Sequence, residues 1–392
     1  MIATTTGTTA NESLSRQRLF DTILVKVTAR CNLACSYCYF FFSEDQRWRR
    51  QPAQISTAVL NALADNLSDL SEHQAGGFAV VLHGGEPLLL GASRLKDTLR
   101  TLRRALPEDR IPVSIQTNGA LITNEILDVC SEFRTTISVS IDGPAEVNDK
   151  FRLTHGGESS FEKTLKGISL LRDHGDSSFL FSGTLSVINP DYEPRYIYEF
   201  LKSLRSPKVD FLYRDGNHTR FPLGKASFRS TEFGDWLCSL WDTYVKDASP
   251  VPIRILDDIA KLTLGARNQK EGLGLSGFSI AIVDTDGSIA KNDTLKNSYD
   301  GADSFEQPWN VATDRLAEIA GTDEYQRYLS LQTPSSEICR SCKHLQVCGG
   351  GMSLYRWNQG SGYDNPSVYC FDHQRLISHI EDSLKEHLLL AK

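Results

Sequence analysis

The residues with the plainest chemistry lie in Arg30-Cys31-Asn32-Leu33-Ala34-Cys35-Ser36-Tyr37-Cys38-Tyr39, where three cysteines stand at C-x3-C-x2-C. This compact spacing lets one short loop wrap three thiolates around a corner of a metal cluster. Iron–sulfur clusters are held by cysteine thiolates, and a cubane with three protein ligands keeps one iron open to a substrate or cofactor. A structural zinc site asks for four ligands, and three reduced cysteines in a plain loop are the bland alternative. A second set, Cys339, Cys342, Cys348 and Cys370, offers four thiolates at C-x2-C-x5-C followed by a distant fourth. Four thiolates suit a closed iron–sulfur cluster or zinc.

Other polar residues recur at regular stations: His83-Gly84-Gly85-Glu86-Pro87, Gln116-Thr117-Asn118-Gly119 and Ser140-Ile141-Asp142-Gly143-Pro144, with Asn148, Asp149 and Arg152 just beyond. Each combines glycine, for close backbone approach, with groups that bind an amino group, hydroxyls or a carboxylate.

The elements around these stations explain their order. Apolar runs at Ile23–Val27, Phe78–Leu82, Val113–Thr117, Thr136–Ile141, Phe179–Val187 and Val209–Tyr213 read as strands. They alternate with helical stretches at Ser56–Leu70, Ser93–Ala105, Asn124–Cys130, Phe161–Asp173 and Glu193–Leu204. Thr123 and Ser160 stand where helix caps belong. Such alternation implies βαβ units and a parallel sheet, either a partial barrel or a doubly wound one. In both, ligands collect at the carboxyl ends of the strands, and each polar station follows a strand. Beyond Gly272 the alternation stops. Phe278–Asp284 and Ser288–Lys291 read as a hairpin turning at Asp286-Gly287, and Gln374–Leu389 as a last helix.

Composition bounds the rest. The 392 residues are 40% hydrophobic and 23% charged, with net charge −7, which gives no reason to expect nucleic acid or an anionic membrane as partner. No apolar run is long enough to span a membrane. Nine cysteines without a signal peptide fit metal or redox chemistry in a reducing cytoplasm. Met1–Gln17 reads as a disordered tail. The expected organisation is a tail at 1–18, a barrel at 19–232, a helical bridge at 233–271 and a cysteine-rich domain at 272–392.

On these motifs the chain resembles the radical S-adenosylmethionine superfamily, in the branch with a SPASM-type C-terminal domain. The resemblance covers roughly residues 20 to 390. It implies an α/β fold with a partial (β/α)6 barrel, and a [4Fe-4S] cluster on Cys31, Cys35 and Cys38 whose open iron chelates S-adenosylmethionine. It further implies that Gly84, Gly85 and Glu86 hold the methionine amino group, that Ser140 and Asp142 meet the ribose and methionine moiety, and that Arg152 pairs with the cofactor carboxylate. Tyr37 becomes an adenine-side wall, while Asn118 binds cofactor or only shapes its turn. Cys339, Cys342, Cys348 and Cys370 match one auxiliary [4Fe-4S] cluster. The family's other auxiliary cluster lacks its cysteines here: none lies in Gly272–Ile280, and Asn292 and Met352 occupy the other two places. Asp293 matches the aspartate that serves related members as general base.

The activity implied is that of an oxidoreductase that matures a ribosomally made precursor peptide, drawing electrons from a flavodoxin- or ferredoxin-type donor. Cys31–Tyr39 with Phe40-Phe41-Phe42 and Asp45–Pro52 resembles members that join aromatic side chains to nearby β-carbons as cyclophanes. The alternative in the same class is a sulfatase-maturating, formylglycine-forming enzyme. From another class come a non-catalytic iron–sulfur electron carrier and a zinc-stabilised peptide-binding module. Arg47-Trp48-Arg49-Arg50 is a basic, aromatic patch suited to an acidic peptide or to a solvated turn. With only Met1–Thr22 before the first strand, a separate leader-binding domain is not expected.

Overall fold

β1 (Thr22–Thr28) carries Ile23, Val25 and Val27, none of them exposed, and even Lys26 between them is only 1% exposed. Burial on both faces is the mark of a central strand in a parallel sheet, and the computed structural model places β1 there. It describes residues 18–106, 108, 111–267 and 270–390; the expected tail therefore lies outside the described residues apart from residue 18.

The strands β2 (Ala79–Gly84), β3 (Val113–Thr117), β4 (Thr135–Ser140), β5 (Phe181–Val187) and β6 (Val209–Leu212) follow β1 in spatial as well as chain order, all parallel. The sheet does not close on itself. β7 (Ile280–Val283) joins the free edge of β1 in parallel, and the antiparallel β8 (Ser288–Ala290) and β9 (Trp309–Asn310) extend it, so nine strands form one sheet among the described residues. The expected hairpin is therefore a continuation of the barrel sheet. Its turn is closed by Gly287 N–H donating to Asp284 O at 2.9 Å, with Gly287 at φ +84°.

The crossover helices are α1 (Thr57–His73), α2 (Gly91–Ala105), α3 (Asn124–Glu132), α4 (Phe161–Asp173) and α5 (Pro194–Ser203). Each turns an apolar stripe inward; on α1 it is Leu60, Leu63, Leu67 and Leu70. Each such leucine contributes about 1.5–3 kcal/mol when buried. Thr123 caps α3 as expected, its hydroxyl accepting from Ile126 N–H. Ser160 does not cap α4. Its hydroxyl donates to Arg152 O at 2.5 Å, and Ser159 Oγ accepts from Phe161 N–H instead. The Ser160 hydroxyl thus holds the Arg152 backbone.

Two further helices, α6 (Glu232–Lys246) and α7 (Arg254–Thr263), pack against the terminal helix α8 (Cys370–Leu390). The helical stretch expected around 312–331 is two short helices, Leu316–Ala320 and Asp323–Ser330, divided at Gly321-Thr322. The start of α8 is fixed by a fully buried ion pair, Lys225 Nζ to Asp372 Oδ2 at 2.6 Å, while Asp372 Oδ1 accepts from Gly234 N–H. That anchor sets Cys370 in place. No helix among the described residues is long and apolar enough to cross a membrane.

Candidate active site

The loop that follows β1 carries Cys31, Cys35 and Cys38 into the short helical turn Tyr39–Phe42. It is pinned from the loop after β4: Ala34 N–H donates to Leu153 O at 2.8 Å and Ser36 N–H to Phe151 O at 3.1 Å. From the other side the end of β2 lies flush against it. Gly85 N–H donates to Thr28 O at 3.0 Å and Glu86 N–H to Arg30 O at 2.9 Å. A Cβ on Gly84 would stand 2.1 Å from Thr28 O, and one on Gly85 2.2 Å from Arg30 O. The glycine pair is therefore required by the cluster loop's own backbone.

Burial pushes the Cys31 thiol up to about 12 and the Cys38 thiol up to about 11, and raises Cys35 as well. Thiols so placed give up their protons to metal and not to water.

The three thiols border a cavity of about 370 Å³ lined from the carboxyl ends of all six barrel strands. That falls within the roughly 300–1,000 Å³ of an ordinary small-molecule site. Glu86, Asn118, Ser140, Asp142, Tyr37 and Arg152 all line it.

Their mutual bonds are specific. Arg152 Nη1 donates to Tyr37 Oη at 2.8 Å, and Tyr37 Oη donates to Asp142 Oδ2 at 2.7 Å. Tyr37 thus contributes its hydroxyl as well as its ring. Arg152 Nε is buried without a protein partner, so part of its planar fork remains for a carboxylate. Glu86 accepts from Leu88 N–H, Thr117 Oγ1 and Asn118 N–H, which spends most of its lone pairs on joining the ends of β2 and β3. Burial raises both Glu86 and Asp142. Asn118 donates to Asn32 Oδ1 at 2.8 Å, while its own side-chain oxygen accepts from Ala120 N–H, the bond of a turn former. Ser140 Oγ accepts from Gln116 at 2.8 Å.

Asp293 is placed differently from the rest. The residue at the cavity wall is its neighbour Thr294. Asp293 accepts from Lys26 at 2.8 Å, with Lys296 at 3.4 Å. Burial would raise its carboxyl, yet Lys26 and Lys296 hold it down to about 2. A carboxylate so stabilised is a poor proton acceptor. The basic patch is also structural in part: Arg47 pairs with Asp45 and Asp303, and Arg30 and Arg49 cover the Trp48 ring at 5.6 and 5.2 Å.

A second, open cavity of about 230 Å³ adjoins the first and shares Tyr37, Cys38, Tyr39, Arg214 and Asp215 with it. Its rim carries the exposed Phe42, Phe221 and Leu223, with Arg220 beside them. Arg214, Asp215 and Asn297 were not among the residues singled out in the sequence. Tyr213-Arg214-Asp215 directly follows β6, and the strand-end rule applied to the sixth strand points to Arg214 and Asp215.

Cys339, Cys342, Cys348 and Cys370 border one small cavity walled by Ile338, Leu345 and Gly350. Cys348 Sγ lies 3.3 Å from His373 Nδ1, and Gln374 Nε2 donates to Cys370 Sγ at 3.3 Å. Polar neighbours at sulfur are what surround a cluster ligand. Among the described residues no three His, Cys, Asp or Glu side chains are close enough to grip a single ion; both thiol sets border cavities. Where the second auxiliary cluster would sit, Asn292 Nδ2 donates to Glu271 Oε2 at 2.6 Å and Met352 packs on Gly272. Burial raises Glu271 to about 7.

Residues 25–204 match the Radical SAM superfamily. The chain is 24% identical to the serine-type anaerobic sulfatase-maturating enzyme of Bacteroides thetaiotaomicron, over 94% of this chain and 92% of that one. It is similar in structure to native anSMEcpe with bound AdoMet and Kp18Cys peptide, at TM-score 0.79 and 20% identity, covering 93% of this chain and 98% of that one. It is also similar to Streptococcus suis SuiB bound to precursor peptide SuiA, at TM-score 0.60 and 12% identity, covering 90% and 76% respectively. At such identities these two likenesses are ones of fold.

Proposed function

Because the chain carries a radical SAM domain, we propose that it modifies a peptide by removing hydrogen from a side-chain carbon. Its cofactors are a [4Fe-4S] cluster and S-adenosylmethionine, which together supply a 5′-deoxyadenosyl radical when reduced. The chain's own residues hold and shield them. In this reading Cys31, Cys35 and Cys38 ligate the cluster, and Gly84, Gly85 and Glu86 bound the methionine end. Arg152 donates to the cofactor carboxylate and is itself oriented by Tyr37. Asp142 and Ser140 take the hydroxyl side, and Asn118 keeps the β3 turn closed. Cys339, Cys342, Cys348 and Cys370 hold one auxiliary cluster that accepts an electron. The observation that carries this reading is the single cavity bordered at once by the three thiols, Glu86, Asp142 and Arg152. A small electron-transfer protein of flavodoxin or ferredoxin type in the cytoplasm is the fitting reductant.

Two finishing steps share this beginning. The sulfatase-maturating relatives, matched over nearly the whole chain, favour oxidation of a cysteine or serine side chain to formylglycine over cyclophane formation. Crosslinking of an aromatic ring to a β-carbon is supported by one feature, the Glu271–Asn292 pair and Met352 standing where a second auxiliary cluster would be ligated. The fold shared with SuiB is compatible with either.

Anaerobically reconstituted protein, given dithionite, S-adenosylmethionine and one of two peptides, tests both. With Kp18Cys, 5′-deoxyadenosine and a hydrazide-reactive aldehyde support formylglycine formation. With a peptide bearing aromatic residues beside residues with β-hydrogens, loss of two hydrogen atoms and a new carbon–carbon bond support crosslinking. Intact clusters that release no 5′-deoxyadenosine with either peptide overturn the enzymatic reading.

A further inference from the structure

Both finishing steps release one proton from the substrate, and the residue expected to take it, Asp293, is locked to Lys26. Three carboxylates line the large cavity: Glu86, Asp142 and Asp215. Glu86 is occupied by three donors from the ends of β2 and β3. Asp142 is occupied by Tyr37 and by Val187 N–H at 3.1 Å. Asp215 is half-buried, borders both cavities, has Asn297 as a side-chain neighbour within hydrogen-bonding reach, and is reached by no ion pair within 4.0 Å among the described residues. A peptide entering from the open mouth toward the cluster loop passes this side chain.

We propose that Asp215, at the neck between the two cavities, is the catalytic residue that takes the substrate's proton. The inference rests on the peptide-oxidising reading above. The substrate first gives a β-hydrogen atom to the 5′-deoxyadenosyl radical, forming 5′-deoxyadenosine. The carbon radical, or in crosslinking the ring radical it forms by adding to the aromatic side chain, would then lose one electron to the oxidised auxiliary [4Fe-4S] cluster and one proton to the Asp215 carboxylate. In the formylglycine branch that proton leaves the substrate S–H or O–H as a carbon–heteroatom double bond forms; the thioaldehyde from a cysteine is then hydrolysed by water to the aldehyde, releasing hydrogen sulfide. In the crosslinking branch a carbon–carbon bond forms to the ring, and the ring C–H proton leaves as aromaticity returns.

The surroundings suit the task. Burial raises Asp215 to about 7, against the lowering effect of Arg220 and of Asn297. Tyr39 from the cluster loop, and Tyr355 and Tyr369 from the C-terminal region, also face its charge, and Arg214 precedes it in the chain. A base near neutrality is the effective kind for a reaction run near neutral pH.

The test uses holoenzyme with both clusters and whichever of the two peptides gives wild-type product, deuterated at the β-carbon. Asp215→Asn should still move deuterium into 5′-deoxyadenosine, but product per 5′-deoxyadenosine should fall by about 10²-fold or more. Wild-type coupling should rise with pH through about 7, and the variant's coupling should be flat. Arg220→Met, at the exposed rim, removes a cation that lowers Asp215 and should move that midpoint upward. Equal coupling in wild type and Asp215→Asn, or an unmoved midpoint in Arg220→Met, overturns the assignment alone. Absence of 5′-deoxyadenosine from wild type with both peptides overturns the peptide-oxidising reading and the assignment with it.

Discussion

Lys26 Nζ donates to Asp293 Oδ1 at 2.8 Å, and the two residues are 1% and 2% exposed. The pair joins the middle of β1 to the segment after the hairpin, and it is not isolated. Asp284 accepts from Lys26 at 3.1 Å, Lys296 stands 3.6 Å from Asp303, and Asp303 pairs with Arg47. Phe40, just past the cluster cysteines, lies under both lysines at 4.7 and 5.2 Å. A buried charge network therefore locks the cluster loop's exit to the C-terminal region.

Removing one partner of a buried ion pair leaves an uncompensated charge, at a cost of about 3–5 kcal/mol. Lys26→Met should lower unfolding free energy in urea by that amount. The pH dependence has a definite sign. Asp293 is held at about 2 in the folded chain, below its unfolded value of about 3.9, so its contribution is present above that value and lost as pH falls through about 2. Wild-type stability should drop across that acid window, and Asp293→Asn should lack this component. Unchanged stability in Lys26→Met would show that the network contributes nothing.

The glycine pair makes a local prediction. A Cβ on Gly85 would meet Arg30 O at 2.2 Å and Arg30 C at 2.5 Å, so Gly85→Ala forces the cluster loop's backbone to shift. Overpacking of this kind costs about 1–3 kcal/mol. Iron should fall by about four per chain, one cubane, with the C-terminal cluster retained. Gly175→Ala has no neighbour within 4 Å and should keep full iron. Full iron in Gly85→Ala would mean the loop tolerates the shift.

Much of this was readable from the chain, and the limits have a physical basis. The strands β1 to β6 announce themselves because both faces of a parallel sheet are buried, giving continuous apolar runs at Ile23–Val27 or Val113–Thr117. That the cysteines, the Gly84-Gly85-Glu86 station and Arg152 gather around one cavity was legible because each stands at or beyond the end of a strand. Lys26 was not: it pairs with a residue 267 positions away, and no local pattern encodes that partner. Asp293 accordingly reads as a base in the sequence, where its lysines are out of sight. Ser160 failed as a cap for a related reason, since its hydroxyl is claimed by Arg152 O across a loop. Asp215 carries no motif; its position at the neck emerges only when the loop after β6 meets the cluster loop and Asn297.

Arg152 and Tyr37 test the cofactor pocket. Arg152→Lys keeps the charge but loses the planar fork, including the unpartnered Nε. A charge-assisted hydrogen bond is worth about 1.5–3 kcal/mol, so the Kd for S-adenosylmethionine should rise roughly 10- to 100-fold. Tyr37→Phe removes the hydroxyl that accepts from Arg152 and donates to Asp142. It should weaken binding less, since the arginine remains. Equilibrium dialysis on reconstituted protein measures both, and unchanged affinity in Arg152→Lys would take the carboxylate role away from Arg152.

Cluster number follows from what replaced the missing cysteines. Asn292 and Glu271 satisfy each other at 2.6 Å, Met352 fills the space against Gly272, and no cysteine lies in 272–280. A thioether and an amide are weak partners for iron beside thiolate, so this polar plug should hold no cluster. The C-terminal set differs: four thiols share one cavity, and His373 and Gln374 approach two of their sulfurs. Reconstituted wild type should therefore bind about eight irons, and Cys370→Ser about four. In Cys370→Ser the N-terminal cluster should still release 5′-deoxyadenosine, while product per 5′-deoxyadenosine collapses because the substrate radical has lost its electron acceptor. About twelve irons in wild type would show that the Glu271 site is occupied after all. Zinc in place of the second four irons, with coupling intact in Cys370→Ser, would turn the C-terminal set into a structural metal site.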